Sequence, residues 1–151
     1  MSLSLRIPMR WGDMDAYGHI NNVEIVRILE EARVHAFGPP AGTGLPGIEV
    51  EQPIFADLPE GIQALVVEHR IKYLSPLHYR NLSAKVEIWV SDVKGASFTI
   101  GYAIYDAVSG VKCVIAETTL ALFDEPAQRL IRLSPEKKQM LSGLLEDSNF
   151  R

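Results

Sequence analysis

Residues 10–36 read RWGDMDAYGHINNVEIVRILEEARVHA, in which a polar segment runs directly into an apolar pattern with helical spacing. Asn21 is the expected N-cap of this helix, with Glu24 three residues later as the reciprocal partner of a capping box. The apolar residues at helical spacing are Ile25, Ile28, Leu29, Ala32 and Ala36. The sequence therefore predicts one long helix from Asn22 to about Ala36.

Segments of alternating apolar residues predict strands on either side of this helix. The first, from Leu3 to Trp11, contains Pro8 and is therefore expected at the edge of a sheet. Four more follow a long connection, rich in glycine and proline, over residues 38–61; they cover residues 65–73, 82–90, 98–104 and 111–123. Within residues 65–73, the odd-numbered side chains are expected on one face of the strand and the even-numbered ones on the other.

The turns between the later strands are short, from Asp92 to Gly95 and at Ser109-Gly110, which favours antiparallel neighbours. The last strand is apolar enough to be expected inside the sheet. A short final helix is predicted to begin at Ser134-Pro135-Glu136. We therefore predict an α+β fold in a single domain over residues 1–151, with an antiparallel five-stranded sheet wrapped around the long helix.

Composition limits the classes of protein and partner. With 151 residues, 47% of them hydrophobic, the chain can bury a core of its own. A formal net charge of −4 argues against a general affinity for nucleic acid or anionic membranes. The single cysteine, Cys113, excludes an intramolecular disulfide and is expected as a small buried residue. The first residues lack an apolar run long enough for a signal peptide or membrane span, so we expect a cytoplasmic protein.

The segment before the helix carries the candidate chemistry. It places two carboxylates, Asp13 and Asp15, close to the predicted helix start. The first turn of a helix presents unpaired backbone N–H groups and a partial positive charge, so it can polarise a carbonyl and stabilise an oxyanion. A nearby carboxylate supplies the second component of such a site.

Residues 15–22 read DAYGHINN and resemble the signature of the 4-hydroxybenzoyl-CoA thioesterase family of hotdog-fold proteins, in particular its GHxNN branch. Weaker matches follow in the expected order at residues 73–76 (YLSP), 97–98 (SF) and 117–119 (ETT). The resemblance covers nearly the whole chain. It implies a hotdog fold and an acyl-CoA thioesterase, which hydrolyses an acyl-CoA to the free acid and coenzyme A.

The resemblance also implies roles for individual residues. Asp15 either attacks the thioester carbonyl, giving an acyl-enzyme anhydride, or acts as general base on water, and the sequence leaves both open. The backbone N–H of Asn22 is the expected donor to the thioester oxygen, and Gly18 gives the backbone room to approach the substrate. His19 orients or caps this segment, whereas Asp13 is expected to stabilise the turn.

Coenzyme A enters this interpretation as part of the substrate, and no separate cofactor is expected. The basic residues that could hold its phosphates are Arg80, Lys94, Arg129 and Arg132. Residues 39–47 and 54–56, after the helix, are expected to border an acyl pocket. By resemblance, the chain forms a homodimer or homotetramer with sites at subunit interfaces.

Other functions fit parts of the same pattern. A non-catalytic module that binds acyl thioesters is one alternative, because a fold does not fix a function. A hotdog dehydratase fits less well, because its expected histidine-containing pattern does not surround Asp15.

A calcium-binding EF-hand loop is a competing interpretation of the same segment. Its positions one, three, six, nine and twelve would be Asp13, Asp15, Gly18, Asn21 and Glu24. However, Tyr17 stands at the fifth position, where an oxygen ligand is expected, and Pro8 and Gly12 would disrupt the preceding helix. The remaining histidines have no recognisable ligand spacing, so we predict no metal site.

Overall fold

The computed structural model describes residues 2–38, 50, 52–55 and 58–150. A 3-10 turn, Trp11–Asp13, separates the first strand from the first helix. The strands and helices in chain order are β1 (Leu3–Ile7), α1 (Asn22–Phe37), β2 (Ile62–Tyr73), β3 (Ala84–Val93), β4 (Ser97–Tyr105), β5 (Lys112–Asp124), β6 (Arg129–Leu130) and α2 (Pro135–Ser142).

The strands form one antiparallel sheet in the order β1-β3-β4-β5-β2, and α1 packs across its inner face over β1 and β3. The apolar stripe of α1, including Ile28, Leu29 and Ala32, is fully buried. It meets inward side chains of the central strands, such as Ile100 and Tyr102. The predicted α+β hotdog arrangement, a sheet wrapped around one long helix, is confirmed. The two-residue strand β6, which pairs with the end of β5, is a sixth strand that was not predicted.

Helix α1 begins where the sequence predicts. The Asn21 side chain accepts a hydrogen bond from the Val23 N–H at 3.1 Å, which confirms its role as N-cap. The expected capping box does not form, because the Glu24 carboxylate instead accepts from Arg27 Nε at 2.9 Å. The helix ends at Gly38, whose φ of 79° is a conformation that favours glycine.

The first strand is shorter than predicted. Strand β1 ends at Ile7, immediately before Pro8, and Trp11 lies in the 3-10 turn with 76% of its surface exposed. The alternation of apolar residues therefore continued to Trp11 although the strand itself had ended at Ile7. The edge position is confirmed, since β1 pairs only with β3 among the described strands. Leu82, predicted to begin the third strand, is exposed and precedes β3.

A β-bulge in β2 changes which of its side chains share a face. The register with β5 shifts between Val66 and Glu68, so Val67 has no directly opposite partner. Val66 is opposite Leu120, and His69 is opposite Thr118, both buried inner-face residues. The prediction that all odd-numbered residues share one face was therefore wrong: the inner face takes even numbers before the bulge and odd numbers after it.

The long connection after α1 lies mostly outside the described residues, including residues 39–47 and Ala56, which were predicted to border an acyl pocket. Ile54 and Phe55 are described, and both are buried in the core. The Phe55 ring packs against Phe37 and Phe98, with centroids 6.4 and 6.2 Å away. Toward the other end of the chain, α2 begins at Pro135, as predicted, and the Ser134 hydroxyl caps it by accepting from the Lys137 N–H.

Candidate active site

The segment between β1 and α1 is held by backbone hydrogen bonds. The Asp15 N–H donates to the His19 carbonyl at 2.7 Å, and the Asn21 N–H donates to the Asp13 carbonyl at 2.8 Å. The Ile20 N–H donates to the carbonyl of Leu77 at 2.8 Å, so the chain after β2 also anchors the segment. The position of Asp15 relative to α1 is therefore fixed by the backbone.

The Asp15 carboxylate is oriented by two amides. Its Oδ1 accepts from the N–H groups of Tyr17, at 2.8 Å, and His19, at 3.2 Å. Its other oxygen, Oδ2, has no hydrogen-bond partner in the described part of the chain. One oxygen thus holds the side chain in place while the other is available for chemistry.

Asp15 and the start of α1 share one cleft. The cleft has a volume of about 370 Å³. It is lined by Asp15, His19, Ile20, Asn21, Asn22, Tyr73, Leu74, Ser75, Pro76, Leu77 and Val114. Asn22 is the first residue of α1, so its backbone N–H has no acceptor within the helix. The structure therefore places a carboxylate and a helix N-terminus at one surface depression.

Gly18 has a φ of 78°, a conformation that residues with a side chain rarely adopt. A Cβ at this position would have no atom of the described residues within 4 Å beyond its own residue and its chain neighbours. The positive φ, and not crowding, is therefore the reason that glycine is favoured here. Gly18 does not line the cleft, and its predicted approach to a substrate stays a prediction.

His19 lies beside a second histidine that the sequence did not suggest. Its backbone forms an isolated bridge with His78, and the two rings meet edge to face with centroids 4.9 Å apart. No spacing or motif indicated this pairing, because His78 belongs to the segment after β2. The YLSP match at residues 73–76, by contrast, did mark residues that line the cleft.

Asp13 lies behind the cleft and is fully buried. Its carboxylate accepts from the Arg10 N–H at 2.8 Å and from Arg27 Nη2 at 2.6 Å. Burial alone would raise the pKa of Asp13, but the hydrogen bonds from Arg10 and the charge of Arg27 outweigh it, so the pKa lies below its ordinary value. These contacts agree with the predicted role of Asp13 in stabilising the turn.

The same arginines bear on the calcium interpretation. The carboxylates at the first and last loop positions, Asp13 and Glu24, both form ion pairs with Arg10 and Arg27. Neither is therefore turned toward a common cation. Among the described residues, no three His, Cys, Asp or Glu side chains are placed to bind one metal ion together.

Of the four basic residues predicted to bind coenzyme A, Lys94 and Arg132 lie near each other at the β3–β4 turn, whereas Arg80 is paired elsewhere. The Arg80 guanidinium pairs with Asp106, Nε to Oδ2 3.0 Å. Lys94 lies in the β3–β4 turn, Arg129 lies in β6, and Arg132 lies against Gly95. That turn is beside Ala121 of β5, about 23 Å along the strand from Val114 in the cleft.

The single cysteine lies behind the wall of the cleft, where its backbone carbonyl accepts from the Leu74 and Ser75 N–H groups and its thiol donates to the Pro76 carbonyl at 3.5 Å. Cys113 is buried, as predicted, and burial raises the pKa of its thiol. No helix within the described ranges is long and apolar enough to cross a membrane.

Solved structures of other proteins share this architecture over nearly the whole chain. A predicted thioesterase from Bacillus stearothermophilus superposes with a TM-score of 0.77 at 16% identity, covering 99% of this chain and 100% of that one. A thioesterase from Thermus thermophilus, complexed with coenzyme A and Zn, gives 0.69 at 17% identity, with 93% and 92% covered. The DHNA-CoA thioesterase of Staphylococcus aureus gives 0.72 at 20% identity, with 94% and 89% covered. At these identities the likeness shows the fold.

The sequence comparison is independent of the structural one. No curated protein matches the chain significantly in sequence. The family model of the thioesterase-like superfamily, however, matches residues 9–141, which include the Asp15 segment, α1 and the sheet from β2 to β6. The chain therefore belongs to the thioesterase-like superfamily.

Proposed function

We propose that this protein is an acyl-CoA thioesterase, with Asp15 as nucleophile or general base and the Asn22 N–H as donor to the developing oxyanion. The observation that carries the proposal is the single cleft shared by the Asp15 carboxylate and the N-terminus of α1. Membership of the thioesterase-like superfamily supports thioester hydrolysis in general. The coenzyme A bound to the Thermus thioesterase and the name of the Staphylococcus enzyme support a CoA thioester as the substrate.

Two routes to the products use the same groups. In the first, Asp15 Oδ2 attacks the thioester carbon, the C–S bond breaks to release the CoA thiolate, and water hydrolyses the resulting anhydride. In the second, the carboxylate removes a proton from water, which attacks the thioester carbon directly, and the C–S bond then breaks to release the CoA thiolate. In both, negative charge develops on the thioester oxygen, where the Asn22 N–H and the positive end of the helix stabilise it.

The sheet offers one edge at which a second copy of the chain can pair. Strand β2 pairs only with β5, so its other edge has no partner strand within the described residues. Val66 and Val67, near its middle, are exposed. An unpaired edge with apolar side chains favours pairing with a second copy. We therefore propose a homodimer or homotetramer. Because a single cysteine allows no intramolecular disulfide and fits a reducing compartment, we also propose a cytoplasmic location.

Product formation separates this proposal from a binding module. The purified protein is incubated with short-chain, medium-chain, long-chain and aromatic acyl-CoAs while released thiol is measured. Release from at least one substrate well above the uncatalysed rate is the expected result. Calorimetric binding of acyl-CoAs with no thiol released from any of them would contradict hydrolysis and favour a non-catalytic acyl-thioester binding protein.

A further inference from the structure

A buried arginine lies at the inner side of α1, away from the Asp15 segment. The Arg33 side chain is only 9% exposed. Its Nη1 donates to the Tyr102 hydroxyl at 3.1 Å. Its nearest carboxylate among the described residues is that of Glu30, 3.9 Å from Nη2 and itself 70% exposed. A guanidinium has five N–H donors, so this charge is poorly compensated for its degree of burial.

Apart from the exposed Glu30 carboxylate, the described groups around Arg33 carry no negative charge. The Tyr102 hydroxyl is fully buried, and burial raises its pKa, so it stays a neutral phenol. His69 Nδ1 is hydrogen-bonded to the buried Thr118 hydroxyl at 2.9 Å. Burial, and then the charge of Arg33, lower the pKa of His69, so it is mostly neutral at neutral pH. We call Arg33, His69, Tyr102 and Thr118 the Arg33 cluster; its net charge is positive.

Arg33 of this cluster lines a cavity whose walls are largely apolar. The cavity measures about 230 Å³, and its apolar lining includes Phe55, Val66 and Leu120. Glu30 is the other charged residue of the lining, and its side chain is 70% exposed to solvent. Apolar walls around a few polar groups are typical of sites that bind small molecules. A guanidinium in such a place attracts an anion, and its planar fork matches the two oxygens of a carboxylate.

This cavity and the active-site cleft lie along the same side of the fold. On α1, Asn22 and Arg33 are separated by about 16 Å along the helix axis. On β2, Tyr73 lines the cleft, Val66 lines the cavity, and His69 lies between them on the same inner face. Among the described elements α1 packs mainly over β1 and β3, and on this face of β2 the residues Val66 and Tyr73 are 42% and 52% exposed.

We propose that the Arg33 cluster is a subsite for a carboxylate at the far end of the acyl group, so that the enzyme prefers thioesters of dicarboxylic acids. This inference rests on the proposed thioesterase function. A substrate that places its carbonyl at Asn22 and its distal carboxylate at Arg33 has an acyl group spanning about 16 Å. The preferred substrates are then medium-chain or long-chain acyl-CoAs with a terminal carboxylate.

The test compares pairs of acyl-CoAs of equal chain length that end in a methyl group or a carboxylate. At the best chain length, we expect the wild-type protein to hydrolyse the carboxylate-terminated substrate with a kcat/KM at least about tenfold higher than that of the methyl-terminated one. A gain of this size is what one hydrogen bond between charged groups contributes. In Arg33→Met, which keeps much of the apolar stem, this preference is lost and the methyl-terminated substrate is hydrolysed at least as well. Equal rates for both members of every pair in the wild type would overturn the proposal.

Two further variants distinguish a binding role of Arg33 from a structural one. Tyr102→Phe removes only the hydroxyl that orients Arg33, and it is expected to reduce the preference for the carboxylate without abolishing turnover of the methyl-terminated substrates. Arg6→Met, on β1, removes an exposed arginine and is expected to leave the preference unchanged. An equal loss of activity on both members of each pair in Arg33→Met and Tyr102→Phe would show a structural role and contradict the subsite.

Binding separates failure of the subsite from failure of the thioesterase function. Asp15→Asn is titrated calorimetrically with the same pairs of acyl-CoAs, with and without Arg33→Met. We expect tighter binding of the carboxylate member, lost in the double variant, whether or not the wild type hydrolyses thioesters. Equal affinities for the two members would overturn the subsite, even if thiol release had established hydrolysis.

Discussion

Asp13 supports the active segment without lining the cleft. Its buried carboxylate joins the 3-10 turn to α1 through Arg10 and Arg27. Asp13→Asn keeps the size of the side chain but removes its charge, so we expect it to lower the free energy of unfolding by about 2–3 kcal/mol. Urea denaturation measures this. The control is Asp92→Asn at a partly exposed carboxylate, and an equally small effect of both substitutions would contradict the structural role of Asp13.

Asp106 makes stability depend on pH in the acid range. Its carboxylate accepts from the N–H groups of Val108 and Ser109 and pairs with Arg80. Burial opposes ionisation, but these contacts outweigh it and lower the pKa of Asp106 from 3.8 to about 2. Because the folded-state pKa is lowered, the stabilisation is present above about pH 4 and is lost as the pH falls toward 2.

The corresponding variant is Asp106→Asn, whose Oδ1 can still accept the backbone hydrogen bonds. We expect it to lower the free energy of unfolding by roughly 2 kcal/mol at neutral pH, and by much less near pH 2. The measurement is thermal unfolding of the variant and the wild type between pH 7 and pH 2. A difference between variant and wild type that stays constant from pH 7 to pH 2 would contradict the assigned ionisation.

The loop between β1 and α1 contains two glycines that offer a matched comparison. Gly12 and Gly18 both have open space where a Cβ would lie, but only Gly18 has a positive φ. We expect Gly18→Ala to lower the free energy of unfolding by about 1 kcal/mol and to reduce thioester hydrolysis, because the strained backbone carries Asp15 and His19. Gly12→Ala should leave both nearly unchanged. Equal effects of the two substitutions would contradict the conformational argument.

The elements that local sequence determines were predicted well. Helix α1 and its Asn21 cap depend on neighbouring residues, and they were placed almost to the residue. The bulge at Val67 depends on pairing with β5, about fifty residues later in the chain, and alternation within β2 alone could not reveal it. Trp11 shows the reverse error, since its apolar spacing continued the strand pattern after Pro8 had ended the pairing.

The candidate site likewise contains residues that the sequence could predict and residues that only the tertiary structure brings together. The candidate group Asp15 and the helix start at Asn22 were predictable, because both belong to one continuous segment that resembles a known signature. The Arg33 cluster draws on α1, β2, β4 and β5, and no spacing in the sequence relates its members. The pairing of Arg80 with Asp106 likewise required the tertiary structure.

Assembly of the whole molecule is tested at the free edge of β2. Val67 is 58% exposed on β2, and Val108, in the turn between β4 and β5, is 61% exposed. Lysine on an exposed strand edge blocks pairing with another chain, so we expect Val67→Lys to shift the protein to monomer, with reduced activity. Val108→Lys should leave the assembly unchanged. Sedimentation velocity distinguishes the two, and an unchanged oligomer in Val67→Lys would contradict pairing through this edge.

Asp15 is the residue on which we expect thioester hydrolysis to depend. In Asp15→Asn, the amide oxygen can still accept from the Tyr17 and His19 N–H groups, while an amide nitrogen replaces the reactive oxygen. The measurement is the rate of thiol release from the best acyl-CoA substrate by Asp15→Asn and by the control Asp92→Asn, with folding checked by circular dichroism. We predict at least about a hundredfold loss of kcat in Asp15→Asn and wild-type rates in the control. A folded Asp15→Asn protein with the wild-type rate would contradict the catalytic role of Asp15.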